Sequence, residues 1–198
     1  MAKADITRTP EEIRAIFAST TPVGSLLPDL VEAAQHPEAA RSRPAMDLVR
    51  ENTRELLADI ETIPALTYTK YRDVQRCDKR RIYQIPYFEK RGKMAVAALH
   101  VLLGDDAYVN TLYDYVWSTC EETGWFLPQV EHMGIELRAA ATAMDLAEIV
   151  EGVGDRLEDR LIDRIRHEIE TRIFAPYLED PDSYWWYKGY NNWNGVCN

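Results

Sequence analysis

Apolar side chains recur along this chain at three- and four-residue intervals, the spacing of one helix face, and no stretch alternates with the two-residue period of a half-buried strand. The pattern predicts an all-α protein. Thr9-Pro10-Glu11-Glu12 reads as a capping box with proline at the first helical position, so the first helix is predicted to start there. A short second helix is predicted over Pro28 to His36. Met46, Val49, Leu56, Leu57 and Ile60 mark a longer helix between Arg43 and Ile63 that ends before Pro64, and Thr67 to Arg80 carries a weaker helical pattern.

From Pro86 onward the signals sharpen. Met94, Ala97, Ala98, Val101 and Leu102 define one helix face, and Gly104-Asp105-Asp106 supplies a stop followed by capping acids, so a helix over Ala107 to Glu122 should turn back on the first. The device recurs: Leu137, Ala141, Met144 and Ala147 mark a helix that stops near Gly152-Val153-Gly154. Asp155 then caps a long one carrying Leu157, Leu161, Ile165, Ile169 and Ile173, ending at Pro176. Two αα-hairpins with turns at Gly104 and Gly154 predict a repeating hairpin architecture, a solenoid or an (α/α) toroid. The connection Gly124 to Gly134 is long for a helix-to-helix link, and such loops carry function more often than short turns do.

Composition narrows the classes. With 198 residues and 46% hydrophobic side chains, the chain suits a single helical domain over 1–198. The longest uncharged apolar run, Met94 to Leu103, falls short of the roughly 20 residues of a membrane span, so no membrane partner is expected. No apolar segment follows Lys3, so no secretory signal is visible; the chain as given is expected in the cytoplasm, or in the periplasm or medium if a signal has been removed. Cys77, Cys120 and Cys197 show no C-x-x-C pairing and read as reduced thiols. The net charge of −10 argues against nucleic acid. Basic residues nevertheless cluster between Lys70 and Lys93, where the spacing predicts a solvated, salt-bridged helix face.

Candidate chemistry concentrates in two places. His132 lies beside Glu131 and near Gln129 in the long loop, as a general base, a hydrogen-bonding group or a metal ligand; one His and one carboxylate do not make a metal site. His167 should lie on the surface, while His36 and His100 have no local partner. The second place is Trp185-Trp186-Tyr187-Lys188-Gly189-Tyr190-Asn191-Asn192-Trp193-Asn194, where rings that stack on sugar faces alternate with amides that bond hydroxyls and carboxylates. The same rings would equally fill a core. No nucleophile-elbow, Walker or dinucleotide glycine motif is present, and no cofactor is indicated.

The order of pieces from about Tyr87 to Asn198 resembles the heparinase II/III-like polysaccharide lyases. It runs from Met94-Ala95-Val96-Ala97-Ala98-Leu99 and Gly104-Asp105-Asp106-Ala107-Tyr108, through Trp125 with Pro128 and Ile135 to Ala143, to Arg172-Ile173-Phe174-Ala175-Pro176-Tyr177-Leu178. It closes on Trp185-Trp186 and, most specifically, Asn191-Asn192-Trp193-Asn194-Gly195-Val196-Cys197-Asn198. Residues 1–80 match only in being helical and proline-rich. The resemblance implies an (α/α) toroid that cleaves uronate-containing polysaccharide or oligosaccharide by β-elimination. Asn192 would offset the uronate carboxylate, with Asn191 and Asn194 as alternatives. Trp125, Gln129, His132, Trp185, Trp186, Tyr190 and Trp193 would contact the sugar, and part of the Arg80 to Lys93 region would attract the polyanion. Where many relatives have Asn-His, this chain has Asn192-Trp193. In the family a Tyr and a further His serving as base or acid, and a β-sandwich, follow this motif. The resemblance therefore implies an incomplete toroid, catalytically incompetent as given, that self-associates through an open edge. Two other readings stand beside it: a non-catalytic helical-repeat interaction module, and an α/α-toroid glycoside hydrolase using Glu131 and Glu136.

Overall fold

A computed structural model describes residues 9–19, 36 and 42–197. All regular structure among these is helical: α1 (Pro10–Ser19), α2 (Ser42–Leu57), α3 (Tyr68–Cys77), α4 (Arg80–Leu102), α5 (Val109–Cys120), α6 (Leu137–Val153), α7 (Asp159–Ile169), α8 (Ala175–Glu179) and α9 (Asn192–Cys197). The all-α expectation holds at this level. The helix expected over Pro28 to His36 lies outside the described residues apart from His36. None of the described helices is long and apolar enough to cross a membrane.

Local signals start the helices. At α1, Thr9 N–H donates to Glu12 Oε2 at 2.8 Å and Glu12 N–H donates back to Thr9 Oγ1 at 3.2 Å, which is the capping box expected from the four residues. Thr67 caps α3 by accepting from Lys70 N–H, and Asp78 ends that helix in the left-handed conformation at φ 51°. Gly104, at φ 86°, turns the chain out of α4.

Helix α4 is the organising element, because α2, α3, α5 and α6 all pack on it. Its start falls at Arg80, ahead of Pro86, which sits buried inside the helix. Met94, Ala97 and Val101 of α4 meet Leu112, Tyr115 and Val116 of α5, Leu146 and Ile149 of α6, and Leu161 and Ile165 of α7 in one apolar core. Lys93 closes the end of α2: its ammonium donates to the carbonyls of Asp59 at 2.7 Å and Thr62 at 3.4 Å, and Tyr115 Oη donates to Ile60 O at 2.7 Å. His100, expected without a local partner, is buried against Thr53 Oγ1 at 3.3 Å, a residue 47 positions away.

The long helix expected from Asp155 to Pro176 starts later than expected and runs past Pro176, unbroken over residues 159–179. Gly154–Arg156 forms a 3₁₀ turn, α7 begins after Glu158, and a π turn over Glu170–Phe174 leads into α8. Pro176 therefore lies inside this helical run and terminates nothing; it follows directly on the π turn, in which Ala175 N–H donates to Glu170 O.

Candidate functional site

Hydrogen bonds pin the segment from Glu121 to Glu136 to the helices. Trp125 Nε1 donates to Thr119 O at 3.0 Å, Tyr87 Oη donates to Trp125 O at 2.7 Å, and Gln75 Nε2 donates to Pro128 O. Pro128–Met133 coils as a 3₁₀ turn, which leaves Glu131 and His132 exposed. Glu131 accepts a hydrogen bond from Tyr71 Oη. Gln129 is half-buried, and its Oε1 has no hydrogen-bond partner among the described residues.

The C-terminal segment is docked on this loop by one indole. Trp186 is wholly buried and donates from Nε1 to Ile135 O at 3.0 Å. Its ring lies 5.8 Å from Tyr177, at 15°, and 5.3 Å from Tyr184. Ile135, Trp186 and Cys197 form the centre of this second apolar cluster, with Trp193 packed on its edge.

Around Trp186 the three amides separate by role. Asn191 caps α9: its Oδ1 accepts from Trp193 N–H at 2.9 Å. Asn194 Nδ2 donates to the carbonyls of Trp186 at 3.2 Å and Tyr187 at 2.7 Å, tying α9 to the preceding turn. Asn192 is exposed, and among the described residues its carboxamide makes no hydrogen bond. Trp185, 52% exposed, lies 5.2 Å from Trp193, and Tyr190 is fully exposed. This segment therefore exposes Trp185, Tyr190 and Asn192, with Trp193 half-buried beside Trp185. A β-carbon at Gly189 would meet the Asn191 side-chain amide, which would have to shift to admit it.

The structure thus divides the residues expected to contact sugar. Trp185, Tyr190 and Asn192 are exposed and Trp193 is half-buried, while Asn191 and Asn194 hold the backbone of this C-terminal face. Trp125 and Trp186, at 1% and 0% exposure, fill two separate cores and offer no ring to a ligand. The guanidinium of Arg172 covers Trp125 at 5.1 Å.

Two further expectations change. Lys90, Arg91 and Lys93 do not form a solvated basic face; they are 3%, 9% and 3% exposed. Lys90 Nζ pairs with Glu122 at 2.8 Å, Arg91 grips both oxygens of Glu122 at 2.6 and 2.7 Å, and Lys93 pairs with Glu89 at 2.9 Å. Burial pulls the Lys90 ammonium below its usual range against the pull of Glu122. These cations are occupied and do not greet a polyanion. Glu131 and Glu136, the carboxylates a glycosidase would use, differ in setting. Glu136 is 3% exposed with a buried, unpartnered Oε1, and burial raises its carboxyl above the usual range despite the nearby N–H groups of Arg138 and Ala139.

A signal for the buried cations was available. Lys90, Met94, Ala97 and Val101 fall on one helix stripe, so Lys90 shares the core face of α4. Among the described residues no group of three or more His, Cys, Asp and Glu side chains is placed to hold a metal ion. Compared with known proteins, the chain matches no family model and no curated sequence.

Proposed function

We propose that the C-terminal face reads the carboxylate of a uronate residue, as one part of a heparinase II/III-like β-eliminating site on an arc of an (α/α) toroid. The observation that carries the reading is the division among the amides: Asn191 and Asn194 are engaged by the backbone, while Asn192 is exposed and, among the described residues, makes no side-chain hydrogen bond. An amide N–H donates to a carboxylate without a proton of its own to lose. That bond draws charge from the uronate and acidifies its C5 proton. A base then takes the C5 proton, the C5–H electrons form the C4=C5 double bond, and the C4–O4 bond breaks as O4 receives a proton from an acid. The exposed indole of Trp185 supplies a stacking surface for the ring.

The test is calorimetric titration of oligouronates from several acidic polysaccharides, with absorbance of newly formed unsaturated uronate followed in parallel. Binding that weakens about tenfold in Asn192→Ala and in Trp185→Ala, with unchanged circular dichroism, supports the reading. A folded chain with no affinity for any oligouronate sinks it. That outcome favours a helical interaction module, a second reading supported by Trp125 and Trp186, whose rings serve packing alone.

A further inference from the structure

A groove of about 660 Å³ opens on another side of the molecule, between the 63–68 loop, the end of α5 and the 121–131 segment. It shares no lining residue with the Asn192 face. Its size is that of a small-ligand site. The wall is a run of tyrosines. Tyr68, 72% exposed, is stacked nearly parallel to Tyr71 (6.4 Å between centroids, 20° between planes), and Tyr83 stands across Tyr71 at 75°. An exposed phenol held parallel to its neighbour offers a flat apolar face, a shelf, to a ligand.

The polar groups around the shelf are mainly acceptors. Glu121 and Glu131 are exposed, and Tyr71 Oη, already donating to Glu131, leaves that carboxylate room for further donors. The cations are occupied. Lys90 is held by Glu122 at 2.8 Å and Ser118 O at 3.0 Å, Arg91 by Glu122, and Lys70 by Ala65 O at 2.8 Å. A ligand that fits presents an apolar face to Tyr68 and Tyr71 and hydroxyl donors to the carboxylates. It carries no negative charge, which Glu121 and Glu131 would repel, because Lys90, the one cation of the lining among the described residues, is already spent on Glu122.

We infer that this groove binds a neutral pyranose saccharide, stacked on the Tyr68–Tyr71 shelf. The inference does not rest on the lyase reading, and its failure is separable from that one. The experiment is calorimetric titration of neutral glucose and mannose hexasaccharides and of an oligouronate. Four proteins are compared: the unaltered chain, Tyr68→Ala, Tyr68→Phe and Asn192→Ala. One of the neutral oligomers should bind, with its Kd rising about tenfold in Tyr68→Ala and little in Tyr68→Phe or Asn192→Ala. Because the Tyr68 side chain is mostly solvent-exposed, its truncation should leave circular dichroism and the unfolding midpoint unchanged. No neutral oligomer binding, or neutral binding indifferent to Tyr68→Ala, overturns the inference. So does an oligouronate affinity that Tyr68→Ala abolishes.

Discussion

One carboxylate, Glu122, answers two buried cations, and this makes its removal unlike theirs. Glu122→Ala strands Lys90 and Arg91 in the interior and is expected to cost about 3–5 kcal/mol in urea-induced unfolding. Lys90→Met leaves the bidentate Arg91–Glu122 pair in place and should cost much less. Glu136 gives the clearest pH signature. Its folded carboxyl is raised above the unfolded value, so the native state holds more protons between the two. Its contribution to stability is therefore full below the unfolded range and is lost as pH rises through the folded one. Glu136→Gln should flatten that fall, read as unfolding midpoints from pH 4 to 8. Cys197, whose thiol burial and Glu136 together push to about 11, stays protonated across this window. At this scale the sequence told which residue types mattered but not which way they faced. Trp185 and Trp186 are neighbours with opposite fates, set by a carbonyl at Ile135, 51 positions away from Trp186.

Elements were legible where their signals are local. Thr9 with Glu12, Thr67 and Gly104 each act through partners three to five residues away, and each does what its type suggests. Thr67→Ala removes the bond to Lys70 N–H and should destabilise α3 by about 1 kcal/mol, seen as faster amide exchange over 68–72. Prolines misled in both directions. Pro86 lies inside α4, because a helix packed by several neighbours tolerates a missing donor that an isolated one does not, and Pro176 lies just after the π turn in the run from α7 to α8. The basic run misled for a related reason: periodicity shows that Lys90 faces inward, but only the return of α5 shows that Glu122 waits for it.

At the scale of the molecule, the main core and the Trp186 cluster are joined by Ile173, which packs against both. It lies in the π turn over Glu170–Phe174, between α7 and α8. From the same turn Arg172 reaches Glu168 at 2.5 Å and the Cys120 carbonyl at 3.0 Å, where Arg164 also donates, and so closes the end of α5. A π turn is a helix carrying one residue more than its neighbours need. Removing one residue between Ile169 and Ala175 would swing everything beyond it by about 100° around the helix axis. Tyr177 would leave Trp186, Arg172 would leave the Cys120 carbonyl, and the Asn192 face would turn from its dock on Ile135. A side-chain substitution leaves that angle alone. The aim of the C-terminal face is thus stored as a number of residues rather than as their kind, and an in-frame deletion there does what no point change does: it keeps every side chain of the face and points them elsewhere.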